Sequence, residues 1–188
     1  EDREKTTTEI QTKYNLTFIH PSNDLDVILG NSTVVSELIQ DHADLDYILC
    51  PIGGGGLIAG SALACNAYSN ECEIIGVEPL NVNDAYRSLK SKKIEYNLKT
   101  DTIADGLRTN LGDINFPIIL DYIKSIICVN EDEIINAMKL IFDKLNILIE
   151  PSSAVAFAGL LKEKEKFKGK KVGVILSGGN VDSNKLPF

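Results

Sequence analysis

Histidine is nearly absent: His20 and His42 are the only two in 188 residues. Neither has a histidine partner at ligand spacing, so a histidine-built metal centre or a Ser-His-Asp triad has almost nothing to work with. Cysteine is sparse too. Cys50, Cys65, Cys72 and Cys128 form no CxxC pair and no metal-ligand spacing. Cys50 ends an apolar run and Cys65 sits among alanines, so they read as small buried hydrophobes in a reducing, cytoplasmic compartment. Basic charge is in deficit, with 19 Lys and Arg against 27 Asp and Glu and a net charge of −8. No basic stripe is available to neutralise phosphates, which argues against nucleic acid as a partner. The longest uncharged stretch, Tyr47 to Asn70, is broken by Pro51, by Gly53 to Gly56 and by Asn66. It is too polar and too interrupted for a hydrocarbon core, so no membrane partner is expected and Gly56–Gly60 is not a membrane-helix dimer motif. No secretory pattern opens the chain.

What is present is an ordinary globular balance, 44% hydrophobic and 24% charged, of a size for one domain or one large domain with a piece missing. Glu1-Asp2-Arg3-Glu4-Lys5 reads as the interior of a helix, as if its beginning had been removed. Short apolar runs then alternate with helical periodicity. Strands are expected at Leu16–Ile19, Tyr47–Cys50, Glu73–Val77, Ser125–Val129 and Lys171–Leu176. These runs are continuous rather than alternating, as in strands covered on both faces. Helices are expected near Ser32–Asp41, Gly55–Tyr68, Asn83–Lys90, Glu131–Leu145 and Ser153–Leu161. The clearest stripe is Ile134, Met138, Ile141, Leu145 and Leu148, and Asn130 with Glu133 supplies a capping box for its start. The pattern predicts an α/β fold with a mostly parallel sheet covered by helices. Ligands of such sheets bind beyond the carboxyl ends of strands, which directs attention to the segments after Cys50, Val77 and Leu176.

After Cys50 the chain reads Pro51-Ile52-Gly53-Gly54-Gly55-Gly56-Leu57, a strand, a glycine turn and a helix start. Four consecutive glycines cost backbone entropy and contribute no packing, so their bareness or their φ/ψ freedom must be required. A cup of backbone N–H groups round an anion at a helix N-terminus is the physical use. A Walker loop is excluded because no Gly-Lys-Ser/Thr follows. A dinucleotide fingerprint competes: Gly54-x-Gly56-x-x-Ala59 fits, and Glu78 lies about twenty residues on, where a ribose-binding acid would sit. That reading leaves Gly53 and Gly55 unexplained, whereas a surrounded terminal monophosphate uses all four. A non-catalytic or NAD-type dinucleotide-binding domain therefore stands as the alternative.

A second glycine turn, Ser177-Gly178-Gly179-Asn180, follows Lys171–Leu176. Taken with the tetraglycine, Glu150-Pro151-Ser152-Ser153-Ala154, Gly76-Val77-Glu78-Pro79 and Ala104-Asp105-Gly106, it makes the chain resemble the fold type II (tryptophan synthase β-like) pyridoxal-phosphate enzymes. Within them it is most similar to the serine racemase and serine/threonine dehydratase group, and the resemblance runs over essentially all 188 residues. It implies that Gly53, Gly54, Gly55, Gly56 and the Leu57 amide hold the phosphate of pyridoxal 5'-phosphate, with the Ser177 hydroxyl facing the pyridine nitrogen. A neutral hydroxyl there makes the cofactor a milder electron sink than a carboxylate would, which suits β-elimination or prompt reprotonation. Asp105 and Gly106 resemble the family's substrate-proximal loop, although an acid and a glycine are also common in ordinary loops. Glu78, Val82 (through its carbonyl) and Asp84 resemble a divalent-cation site whose hard oxygen donors suit Mg2+ or Ca2+. Without the resemblance the two acids would read as surface charges. Asn180 matches a position associated with nucleotide binding in racemases.

The family's essential lysine, which holds the cofactor covalently and moves protons at Cα, has no match here. The lysines of Lys162–Lys171 form a solvated run, and Lys124 and Lys139 read as helix-surface residues. The resemblance therefore implies that residues 1–188 are the C-terminal portion of the large cofactor domain. The lysine segment and a small domain would lie upstream, and the fragment alone would be inactive. Completed by that N-terminal half, the protein is expected to deaminate L-serine or L-threonine to a 2-oxo acid and ammonia, to racemise serine, or both. A small amino-acid substrate and a homodimer are the implied partners.

Overall fold

Four parallel strands in the order β3-β2-β1-β4 form the centre of the chain: β1 Tyr47–Pro51, β2 Glu73–Pro79, β3 Ile126–Val129 and β4 Val172–Val174. The computed structural model describes residues 2–69 and 71–188, the side chains of residues 2–4 excepted. Eight α-helices lie among these residues: α1 Asp2–Tyr14, α2 Leu25–Asn31, α3 Thr33–Asp41, α4 Gly56–Tyr68, α5 Asp84–Ser91, α6 Asn115–Tyr122, α7 Glu131–Leu145 and α8 Pro151–Lys162. The predicted α/β class with a parallel sheet is what the chain adopts.

Alternate residues of the central strands enter two separate cores, as the period of two requires. Ile48, Cys50 and Ile74 point to one face, where α2, α3, α4 and α6 cover them. Leu49, Ile75 and Val77 point to the other, under α7 and α8. Both cover layers come close because small residues permit it. A Cβ on Gly159 of α8 would fall 2.7 Å from Val77 Cγ1, and one on Gly60 of α4 would strike the Ile28 carbonyl of α2. Gly60 thus serves helix contact within the fold, whereas Gly56 admits the backbone of Ser22. No helix among the described residues is long and apolar enough to cross a membrane.

Three expectations need correction. Leu16–Ile19 is not a strand: it joins no ladder among the described residues, and Leu16, Phe18 and Ile19 are exposed rather than covered on both faces. The short helices α2 and α6 are not among the expected ones; at seven and eight residues they span only about two turns, and Pro117 sits in the first turn of α6, where proline is tolerated. The α7 stripe also runs past its helix. The Asn130–Glu133 capping box is formed, but Asn146 turns left-handed at φ 54°, so Leu145 is exposed and Leu148 lies beyond the end. Of the Glu1–Lys5 segment, residues 2–5 are helical and belong to α1, with Glu1 outside the described residues.

The cysteines are free thiols, two buried and two half-buried. Burial pushes both Cys50 and Cys128 up to about 12, consistent with packing residues rather than nucleophiles.

Candidate functional site

Because β4 lies beside β1 with Val174 opposite Leu49, the loops leaving their carboxyl ends are neighbours. Between them opens a cavity of about 260 Å³ lined by Gly53 to Gly56, Leu57, Gly106 and Ser177, with Ser22 and Leu107 on its walls. The structure thus brings together all five residues expected at the phosphate, the hydroxyl expected at the ring nitrogen, and the glycine of the Ala104-Asp105-Gly106 loop. No lysine lines it. Lys162 instead bonds the Cys128 carbonyl and Glu133, Lys170 and Lys171 pair with Asp46 and Asp44, and Lys124 lies between α6 and β3 rather than on a helix.

The tetraglycine is needed because the loop is threaded through a narrow gap. A Cβ on Gly53 would come within 3.0 Å of the Gly106 carbonyl, and one on Gly56 within 2.8 Å of the Ser22 backbone. Gly55 has φ 87°, a left-handed conformation that disfavours any side chain, and a Cβ there would meet Asn115 at 2.6 Å. The amides of Gly53, Gly54 and Gly55 donate to no other group among the described residues. With the N-terminus of α4 they form a concave set of free donors with no acidic or basic side chain in the lining. Such a cup fits a phosphate monoester.

One end of α8 holds two of the loops in place. The Gly106 N–H donates to Ser152 Oγ at 2.9 Å and to Asp105 Oδ1 at 3.0 Å. Glu150 donates its N–H to the Gly178 carbonyl and accepts the Asn180 N–H on Oε2 at 3.0 Å. Asp105 and Asn180 are exposed and outside the cavity lining. Two anchors had no signal in the sequence. Asn23 accepts the Ile114 and Asn115 N–H groups, and the wholly buried Asn115 bonds the glycine loop across 61 positions of chain.

The carboxylates of Glu78 and Asp84 sit elsewhere, Glu78 near the end of β2 and Asp84 at the start of α5. They are not surface charges: their relative exposures are 1% and 2%. Glu78 accepts the Ala85 and Tyr86 N–H groups at 3.3 and 2.6 Å; Asp84 accepts the Asn97 amide at 2.5 Å and the Leu111 N–H at 3.0 Å. Burial, reinforced by the neighbouring Asp84, holds Glu78 well above the usual carboxylate range. Burial also pushes Asp84 up to about 6. Val82 is buried beside them. Among the described residues no cluster of three or more His, Cys, Asp or Glu side chains is placed to hold a metal. The dinucleotide reading fails here on geometry: both Glu78 oxygens are turned into the start of α5 and the residue is absent from the cavity lining, so it offers nothing to a ribose.

Comparison with known proteins agrees with this geometry. The chain is 42% identical over 186 residues to a β-hydroxyaspartate dehydratase of Paracoccus denitrificans, covering 99% of this chain and 59% of that protein. It is equally similar, 42% over 190 residues, to a serine racemase of Dictyostelium discoideum, with the same coverage. Maize serine racemase superposes with a TM-score of 0.92 at 37% identity, covering 97% of this chain and 57% of that one. The chain thus spans about three-fifths of the length of the relatives it matches, 59% for both of these curated proteins. Residues 1–178 match the family model described as "Pyridoxal-phosphate dependent enzyme". On that match, and on relatives this similar over nearly its whole length, the chain belongs to the pyridoxal-phosphate dependent enzyme family.

Proposed function

We propose that residues 1–188 are the C-terminal portion of the large cofactor domain of an enzyme acting on a small β-hydroxy amino acid. Completed by an N-terminal half that carries the lysine and a small domain, it deaminates L-serine or L-threonine to a 2-oxo acid and ammonia, racemises serine, or does both. The observation that carries this reading is the meeting of the free Gly53–Gly55 amides and Ser177 in one cavity at the ends of neighbouring strands. The names of the two curated relatives, a hydroxyaspartate dehydratase and a serine racemase, support the same pair of chemistries.

In this reading the amides of Gly53 to Gly56 and Leu57 hold the phosphate of pyridoxal phosphate, and the α4 dipole favours its charge. Ser177 Oγ donates to the pyridine nitrogen. The bound cofactor supplies an electron sink for the pair left at Cα when its proton is removed. Elimination and racemisation share that proton removal. They part on whether the β-hydroxide leaves or the opposite face is reprotonated. Gly106 lines the cavity beside the glycine cup and borders the amino acid, and Asp105 is substrate-proximal as the residue before it, outside the lining itself.

Glu78, Asp84 and the Val82 carbonyl hold Mg2+ or Ca2+. The donor set fits: each carboxylate oxygen accepts one N–H and retains a lone pair, and two buried carboxylates that resist ionising together are relieved by a divalent cation. Asn180 contributes to a nucleotide site, and the enzyme is a homodimer of a reducing, cytoplasmic compartment.

The test is an absorption spectrum of the full-length protein with added pyridoxal phosphate, followed by borohydride reduction and peptide mapping, alongside assay of L-serine for ammonia, 2-oxo acid and D-serine. A visible band trapped on a lysine upstream of Glu1, with turnover of L-serine, is expected. Trapping on a lysine within 1–188, or no band, would overturn the assignment.

A further inference from the structure

We propose that Asn115 is a positioning residue that fixes which way the phosphate-binding peptides face, an inference that rests on reading Gly53–Gly56 as a phosphate cup. Asn115 opens α6, far in sequence from the glycine loop, and is wholly buried. Both hydrogens of its amide and one lone pair of its oxygen are engaged by backbone. Oδ1 accepts the Gly112 N–H at 3.1 Å, while Nδ2 donates to the Ser22 carbonyl at 2.9 Å and to the Gly54 carbonyl at 2.7 Å. No metal, catalytic group or cavity wall needs this residue, since it is absent from the lining.

Its consequence follows from peptide geometry. The peptide between Gly54 and Gly55 is trans, so its C=O and N–H point in opposite directions. Drawing the Gly54 carbonyl onto Asn115 turns the Gly55 N–H away from α6 and frees it for the cup. A peptide flanked by glycines is the easiest kind to flip, because no Cβ on either side resists the rotation. Flipped, it would present a carbonyl oxygen where a donor is required, and phosphate would meet repulsion. Asn115 removes that alternative. It also joins the loop to the Ser22 carbonyl, the group that a Cβ on Gly56 would strike. Two segments that line the cup, at Ser22 and Gly54, therefore converge with the Gly112 turn on one side-chain amide.

The experiment compares two cofactor forms on the full-length apoenzyme: dissociation constants for pyridoxal phosphate and for pyridoxal, which lacks the phosphate. In the unaltered protein, pyridoxal phosphate binds much more tightly. In Asn115→Ala this preference falls about tenfold or more while pyridoxal affinity stays within about twofold, because the lost amide acts only through the phosphate amides. Asn115→Asp, isosteric and leaving no cavity, carries the same comparison where the alanine variant does not fold. It keeps the bond to Gly112 but turns an acceptor toward the Gly54 carbonyl, and the preference falls at least as far. If both affinities fall together, or neither changes, Asn115 is merely structural and the proposal is overturned while the phosphate cup stands. If the unaltered protein shows no preference for the phosphorylated form, the cup itself is wrong and this inference goes with it.

Discussion

At the end of β1 the chain builds an anion site from backbone alone; at the end of β2 it buries two acids side by side. The cavity lined by Gly53–Gly56 contains no acidic or basic side chain, and its positive character comes from free N–H groups and a helix terminus. The Glu78–Asp84 pair concentrates negative charge at nearly zero exposure. Arg87, whose positive charge acts on both acids, is held at one remove: it bonds Asn97, which in turn bonds Asp84. The first arrangement depends on backbone direction and the second on protonation. They should therefore fail under different perturbations.

The largest effect is expected at the first. Gly55→Val places a β-branched residue at φ 87° and drives its Cβ into Asn115 and Leu111. Affinity of the full-length protein for pyridoxal phosphate should fall about a hundredfold or more, read by spectroscopic titration. Glu78 stays bonded to the start of α5, and the variant reaches the two acids only through the Leu111–Asp84 bond, so calcium or magnesium should still raise Tm.

The second region should respond to pH. In the folded chain Asp84 is raised from an ordinary 3.8 to about 6, and Glu78 is raised as well, so the native state holds more protons than the unfolded state in between. Their contribution to stability is fully present below pH ~4 and is lost as pH rises through ~6, about 3 kcal/mol for Asp84. Denaturation in chelator at pH 4.5 and 7.5 measures this by comparison with Asp84→Asn, in which the difference should shrink. A divalent cation should restore stability at the higher pH and do little at the lower. A cation effect equal at both would sink the metal assignment.

Smaller effects sharpen the contrast. Ser177→Ala removes one hydroxyl from the cavity mouth and should weaken cofactor binding about tenfold, with an altered absorption spectrum. An unchanged spectrum would show that Ser177 does not face the ring. Asn130→Ala breaks the capping box of α7, whose hydrogen bonds involve neither the glycine cup nor the two acids, and should cost about 1 kcal/mol in thermal unfolding. Cofactor affinity and cation response should both survive it.

Much of the first region is legible in the residues. Gly53–Gly56 announces itself because four adjacent bare positions have few physical uses, and Ser177 follows an apolar run that ends where a parallel sheet places ligands. The acids of the second region are visible, but their burial is not. A six-residue spacing is compatible with solvated surface charges, and only the packing of α5 and the 97–111 segment over β2 withdraws them from water. Leu16–Ile19 shows the converse. An apolar run has strand character, yet a strand needs a neighbour, and none of the described residues supplies one.

By itself, then, the sequence determined the features whose causes lie within a few residues of one another: the alternation that makes a parallel α/β sheet, the glycine turn, and the Asn130–Glu133 cap. The tertiary structure alone decided which distant groups complete them. Asn115 is an ordinary asparagine two residues before a proline until folding brings it to a carbonyl 61 residues away. The reason is physical: caps and turns are closed by local backbone, whereas a buried amide takes its partners from whatever chain the core packs against it.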